Sequence, residues 1–258
     1  MLLVADVGNT QTHLGVYEGE ELLESWRLST RATDTADELL ASLRALLAAS
    51  PEPLAINHVA IASVVPSLSE SWAQAAQQLS GSKPLLLSHE TKAGFSYGYD
   101  NPEEIGADRI ADAVAAVARY GAPVIVVDFG TATNIEIIDR NGAFVGGIIA
   151  PGLSTSADAL FAAAARLPRI DIITPPEVIG RSTKTAVQSG LTYGEIDRID
   201  GLVRRVFAEL GYESPVVATG GLSRRVLSLS TVITQVNDTL TLEGLRLIFE
   251  RQQLELQQ

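Results

Sequence analysis

The sequence predicts an α/β chain of two similar halves, each opening with three antiparallel strands and continuing as alternating helices and strands. Three observations predict it. An apolar strand running into an acidic turn rich in glycine and hydroxyls occurs twice. Residues 1–4 lead into Ala5-Asp6-Val7-Gly8-Asn9-Thr10-Gln11-Thr12-His13, and residues 122–127 lead into Asp128-Phe129-Gly130-Thr131-Ala132-Thr133-Asn134. A hairpin follows each turn: residues 13–17 and 22–28 around Glu18-Gly19-Glu20, then residues 135–138 and 143–149 around Asp139-Arg140-Asn141-Gly142, where Asn-Gly is a strong turn signal. Beyond each hairpin, helix-period apolar stripes alternate with short apolar runs.

Each element has its own local reason. Residues 30–34 are polar and loop-like. Thr35 with Glu38 three residues on has the form of a capping box. The helix it opens aligns Leu39, Leu40, Leu43, Leu46 and Leu47, and Pro51 and Pro53 close it. Residues 58–65 read as a buried strand. Pro66 and Ser67 begin a helix through Trp72, Ala76 and Leu79, and residues 84–87 a short strand. Asn101 as a cap, Pro102 early and Glu103 and Glu104 in a first turn look like a helix start. Gly106 breaks it, and a fresh helix begins near Ala107 and runs to Tyr120. Gly121 marks the junction, so the lobes are expected at 1–117 and 118–258. In the second, Gly146, Gly147, Pro151 and Gly152 make a tight loop, residues 154–167 a helix, and residues 167–174 an extended stretch stopped by Pro175 and Pro176. A helix from near Thr185 ends at Gly211. Residues 216–221 run from strand into glycine turn, residues 232–236 form the last strand, and residues 239–257 a closing helix with Glu243 and Arg246 exposed.

The totals bound the function. At 258 residues, 46% of them hydrophobic, the chain suits one large domain or two medium ones with a sizeable core. No apolar run reaches membrane-spanning length and no basic stretch precedes the first strand, so neither a signal peptide nor a membrane partner is expected. Cysteine is absent, which removes disulfides and thiolate metal sites and fits a reducing, cytoplasmic setting. Net charge is −12; residues 1–117 carry six basic and sixteen acidic side chains, residues 118–258 thirteen and fifteen. That balance argues against nucleic acid as a partner, and an anionic substrate must be met by local donors or a cation. The chain has no Gly-x-x-x-x-Gly-Lys-Ser/Thr loop, protein-kinase motif set, Ser/His/Asp triad or His-rich metal constellation; His13, His58 and His89 lie in separate segments.

Several stretches could carry chemistry, each with a plainer alternative. Strand, carboxylate, glycine-hydroxyl turn and strand is a cradle for a phosphate and its cation, or an ordinary hairpin turn. Phe95, Tyr97 and Tyr99 could line a small-molecule pocket or pack an edge strand. Asp108, at a helix start, could be a base with Arg109 holding an anionic group, or part of a solvated trio with Arg109 and Asp112. Residues 179–185 could bind an anion at a helix N-terminus, or simply cap it.

Two βββαβα-type halves with Asp-Gly-Thr turns imply, by analogy, the duplicated ribonuclease-H-like (actin-like ATPase) fold of acetate and sugar kinases, Hsp70 and actin, two lobes around a cleft. With these residues in view, the chain resembles a type III pantothenate kinase nearly end to end. The carriers are Asp6-Val7-Gly8-Asn9-Thr10, Tyr99-Asp100-Asn101-Pro102, Gly106-Ala107-Asp108-Arg109, Asp128-Phe129-Gly130-Thr131-Ala132-Thr133, Gly146-Gly147, Gly180-Arg181-Ser182-Thr183, Thr219-Gly220-Gly221 and Leu242-Glu243-Gly244-Leu245. The resemblance implies ATP-dependent phosphorylation of pantothenate, the first step of coenzyme A biosynthesis. It implies that Asp6, Val7, Gly8, Asn9, Thr10, Gln11, Thr12, His13 and Thr131 bind ATP, that Tyr99, Gly106, Ala107, Asp108, Arg109 and Thr183 bind pantothenate, and that Asp108 accepts the proton. It further implies that Asp128 binds a monovalent cation, potassium or ammonium, that magnesium accompanies ATP beside Asp6, and that the protein is a homodimer with the substrate pocket near the interface. Asn134 and Gln11 depart from the expected threonine and asparagine. The rival readings are a non-catalytic nucleotide-binding regulator on this fold, and a kinase for another small alcohol or sugar.

Overall fold

The computed structural model describes residues 1–164 and 167–256. The chain forms two compact units, Met1–Arg119 with Thr239–Gln258, and Tyr120–Asp238. Each holds one five-stranded sheet. In the first unit these are β1 (Leu2–Val7), β2 (Gln11–Glu18), β3 (Glu21–Ser29), β4 (His58–Ser63) and β5 (Leu85–Leu86), in spatial order β3-β2-β1-β4-β5. In the second they are β6 (Val124–Phe129), β7 (Ala132–Ile138), β8 (Phe144–Pro151), β9 (Val216–Gly220) and β10 (Gln235–Val236), in order β10-β9-β6-β7-β8. Read from the other edge, the second order repeats the first. In both, the opening strand pairs antiparallel with its hairpin and parallel with the strand that returns from a helix. The duplicated ribonuclease-H-like fold expected from the sequence is present.

Strand alternation sets which side chains face the helices. On β1, Leu3, Ala5 and Val7 enter a core with Leu39, Leu40 and Leu43 of α1 (Ala36–Ala49) and Leu68, Trp72 and Ala76 of α2 (Pro66–Ser80). Val4 and Asp6 therefore face the opposite side. The same offset recurs on β6, where Ile125, Val127 and Phe129 join Ile196, Ile199 and Val203 of α5 (Thr183–Leu210), leaving Val126 and Asp128 on the other face. Both strands end in an aspartate one residue before a buried apolar residue.

α1 begins as its capping box specifies: Glu38 N–H donates to Thr35 Oγ1 at 3.3 Å and Thr35 N–H donates to Glu38 Oε2 at 2.9 Å. A short 3-10 turn at Pro102–Glu104 precedes α3 (Ala107–Tyr120), with Gly106 between them. α4 (Leu153–Ala163) follows β8, and α6 (Ser223–Val226) is a single turn after β9.

The structure departs from the sequence reading in several places; the helix expected over 154–167 ends at Ala163, residues 165 and 166 lying outside the described residues, and the strand expected over 232–236 is only Gln235–Val236. The expected boundary assigns residues 239–258 to the second lobe, but α7 (Leu240–Leu256) packs on β1, β2 and β4 of the first unit. Its fully buried Leu242, Leu245 and Ile248 each contribute about 2 kcal/mol of apolar burial there. Arg246 is buried rather than exposed, its guanidinium bonded to Glu250 and 5.6 Å from the Tyr17 ring centroid, and Glu243 is half-buried against Arg119. Gly146 and Gly147 lie inside β8, paired with Ile137 and Glu136, not in a loop. Residues 92–100 form no edge strand; Tyr97 makes a lone bridge.

Candidate functional site

In the first unit the turn between β1 and β2 is closed by the Gly8 N–H, which donates to Gln11 O at 3.1 Å. A Cβ on Gly8 would lie 2.9 Å from that carbonyl, so the tight closure requires glycine. Asn9, Thr10 and Gln11 are exposed at the tip and Asp6 is half-buried at the strand end. The other two members of the segment point inward. Thr12 Oγ1 lies 2.9 Å from Thr30 Oγ1, and His13, across from Asp6 in the ladder, is buried. Burial first, and then the charge of Arg27, lower the His13 pKa to about 4, so the ring is neutral near pH 7.

Val64, directly after β4, donates its N–H to Val7 O at 3.1 Å. Gly106 sits beside it: a Cβ there would lie 3.3 Å from Val64 Cγ1 and would strike the Asp108 carboxylate. Asp6, Gly106 and Asp108 thus share the carboxyl end of the first sheet, where open α/β sheets hold ligands. Burial raises the proton affinity of the Asp108 carboxyl, opposed by the Arg109 N–H, which donates to Oδ1 at 2.8 Å, and by the Arg109 charge. A carboxylate so disposed is a stronger base than an exposed one. Arg109 is 4% exposed and Asp112 1%, which removes the solvated-trio alternative. Tyr99 is half-buried. Phe95 and Tyr97 stack edge to face with centroids 5.2 Å apart, and burial raises the Tyr97 phenol pKa.

In the second unit the Gly130 N–H donates to Ala132 O at 3.0 Å, repeating the first turn with one residue fewer. Thr131 is exposed, and its carbonyl accepts from Thr155 Oγ1 at 2.6 Å. Gly152 crosses this turn so closely that a Cβ would lie 2.7 Å from Thr131 O. Gly220, with φ +84°, lies against Asp128: a Cβ would strike the carboxylate and sit 2.6 Å from Phe129 O. Thr133 Oγ1 donates to Glu195 Oε1 at 2.7 Å, and Arg198 pairs with the same carboxylate while donating to Pro151 O at 2.8 Å. Thr155, Glu195 and Arg198 brace this turn; no motif in the sequence marks them. Thr183 is exposed at the first position of α5, after a capping box between Ser182 and Thr185. Asn134 is half-buried opposite Asp128 in the ladder.

These arrangements fit a magnesium nucleotide and a weakly held cation. Glycines that admit no Cβ keep both turns tight, exposed hydroxyls stand at both turn tips, and an aspartate stands at each strand end. Around Gly220 the Asp128 carboxylate and the Phe129 carbonyl converge, an all-oxygen set suited to a hard cation. Among the described residues no group of three or more His, Cys, Asp or Glu could hold a metal ion.

Comparison with known proteins identifies a kinase family. The family model described as type III pantothenate kinase matches residues 2–205. A protein of Acidobacterium capsulatum named type III pantothenate kinase is 46% identical over 98% of this chain and 95% of its own length. One of Myxococcus xanthus with the same name is 45% identical over 97% and 98%. The activator of 2-hydroxyisocaproyl-CoA dehydratase from Clostridium difficile, solved with bound ADPNP, has TM-score 0.57 at 14% identity, covering 100% of this chain and 97% of its own; that likeness shows the fold alone.

Proposed function

The chain belongs to the type III pantothenate kinase family, and on that premise we propose how its residues phosphorylate pantothenate with ATP, yielding 4'-phosphopantothenate for coenzyme A biosynthesis. The observation that carries the reading is the placement of Asp108 beside the sheet end that carries Asp6, with a carboxyl whose proton affinity burial has raised. Asp108 accepts the proton of the primary hydroxyl as it attacks the γ-phosphorus. Arg109 pairs with the pantothenate carboxylate, and Tyr99, Gly106, Ala107 and Thr183 complete the substrate's surroundings. The turn Val7–Thr10 and Thr131 hold the phosphates through backbone N–H groups and hydroxyls. Gln11 borders that turn, while Thr12 and His13 support it from the buried side. Asp6 orients magnesium, directly or through water, and Asp128 holds potassium or ammonium. When bound, these ions offset phosphate charge that an acidic chain cannot neutralise itself. Transfer of this kind depends on positioning and charge stabilisation more than on covalent chemistry.

The reading extends to a cytoplasmic homodimer with its substrate pocket near the subunit interface. Ile173, Val178 and Ile179, exposed on the approach to Thr183, support an apolar contact there, Ile179 being 75% exposed. Among the described residues no helix is long and apolar enough to cross a membrane.

The test is ADP release measured with a panel of alcohols and sugars, in potassium, ammonium and sodium buffers. Turnover confined to pantothenate and requiring potassium or ammonium is expected. Equal turnover on other alcohols, or none on pantothenate, overturns the substrate assignment; equal rates in sodium overturn the cation assignment. Light scattering at the assay concentration checks the dimer.

A further inference from the structure

We infer that Arg251, on the closing helix, is a positioning residue for the substrate loop: through the main chain at Ala93 and Gly94 it sets the segment that leads to Tyr99. The inference rests on the proposed reading of Tyr99, Asp108 and Arg109 as the pantothenate site.

The segment between β5 and the 3-10 turn has little structure of its own. A turn closes at Ser88 and Thr91, whose side chain accepts from Ser88 N–H at 3.1 Å, and Tyr97 makes a single bridge. What holds residues 92–94 is α7. Arg251 Nη1 donates to Ala93 O, Gln252 Nε2 donates to Lys92 O at 3.4 Å, and Glu255 pairs with Lys92 Nζ at 3.0 Å. Positions 251, 252 and 255 lie on one face of a helix, one turn apart. Two of the three acceptors are main-chain carbonyls, so these bonds fix the path of the backbone whatever side chains it carries. Gly94 adopts φ +89°, a conformation that favours glycine, and a Cβ there would fall on the Arg251 guanidinium. Loop and helix therefore fit each other at an atom-to-atom contact.

α7 can transmit position because its other end is immobilised. Leu242, Leu245 and Ile248 are fully buried on the first sheet. Gly244 lies flush against α3, where a Cβ would sit 2.9 Å from Ala111 Cα. Ala111 is one turn beyond Asp108 and two residues beyond Arg109. One rigid helix thus meets the element that carries the proposed base and substrate clamp, and also the loop that carries Tyr99. Arg251 contacts the main chain of the loop and neither substrate nor reacting atoms. It sets the distance between two groups that do, and such distances govern affinity and rate steeply.

The test uses the full chain with Arg251→Ala and Arg251→Lys. Arg251→Ala is expected to raise KM for pantothenate roughly tenfold, with kcat changed less than about twofold and KM for ATP unchanged. Arg251→Lys, whose ammonium can still donate to Ala93 O, recovers most of that loss. Amide hydrogen exchange read in parallel should quicken across residues 92–99 and stay unchanged in α3. An unaltered pantothenate KM overturns the inference, as does a rise shared equally with ATP, or exchange at 92–99 that matches the parent protein. If the parent protein turns over no pantothenate, the functional reading fails instead, and the exchange measurement still decides whether Arg251 holds the loop.

Discussion

Replacing Asp108 by Asn keeps the shape of the side chain and the oxygen that accepts the Arg109 N–H at 2.8 Å, but removes the base. General-base catalysis is worth about 10²–10⁴-fold. The transition state for phosphoryl transfer is loose, with little proton transfer advanced at the barrier, which favours the lower end. A fall in kcat of about 10²-fold is therefore expected, about 3 kcal/mol, with KM for both substrates near parent values. Stability should move the other way. Burial raises the folded-state pKa of Asp108 above its ordinary 3.8, so between those two values the folded chain binds a proton that the unfolded chain has lost. Stability then falls as pH rises through that window and stays lower at neutrality. Asn cannot ionise, so the variant should be the more stable protein at pH 7, with the advantage fading as pH approaches 3.8. Steady-state kinetics and urea unfolding across that pH range measure both. Unchanged kcat refutes the base assignment, and a variant less stable at pH 7 refutes the claim that the parent bears a desolvated carboxylate.

Two further perturbations follow from the same geometry. Gly220→Ala forces a side chain into φ +84°, worth about 1 kcal/mol, and onto the immobile Phe129 carbonyl at 2.6 Å, worth about 1–3 kcal/mol. A loss of roughly 2–4 kcal/mol in urea unfolding is expected, and a loss below about 1 kcal/mol contradicts the contact. His13 is held neutral by burial, with a pKa of about 4 against 6.5, so the unfolded chain takes up a proton first on acidification. Its share of stability, at most about 3 kcal/mol, is complete above pH 6.5 and is lost as pH falls toward 4. His13→Gln should flatten that slope; an equally steep one in the variant shows that other groups produce it.

Local chemistry was legible and long-range packing was not. The Thr35 capping box, the Asn141-Gly142 turn and the Gly211 helix stop each depend on residues within a few positions, and the structure realises all three: Gly142 and Gly211 have φ +73° and +76°, and Asp139 Oδ1 accepts from Asn141 N–H at 2.8 Å. The tandem glycines 146 and 147 look locally like a loop. They become strand because β7 pairs Glu136 and Ile137 with them, next to a register shift at Ile138, which no short window reveals. The apolar stripe of α7 is plain, yet a stripe does not say which sheet it will cover. Arg246 reads as exposed by type, but its guanidinium sits between Glu250 and the Tyr17 ring, so its stem can be buried.

The duplicated turns show what register adds to a motif. Asp-x-Gly-x-Thr-x-Thr matches both stretches in outline and suggests that its threonines are equivalent. Ladder pairing sets Thr12 opposite Val7 and Thr133 opposite Phe129, so these two correspond; both are buried, and they bond Thr30 and Glu195. The Gly8 and Gly130 N–H groups close on Gln11 and Ala132, so Thr10 and Thr131 correspond as well, both exposed, and Asn9 is the extra residue. At 2% and 1% exposed, Thr12 and Thr133 are out of reach of a phosphate in solvent. Of the four threonines, then, the exposed pair is placed to meet the proposed nucleotide, while the buried pair ties each turn to the structure behind it. That division follows from position: Thr12 and Thr133 stand in the ladder and Thr10 and Thr131 at the turn tips, whatever the length of the turn.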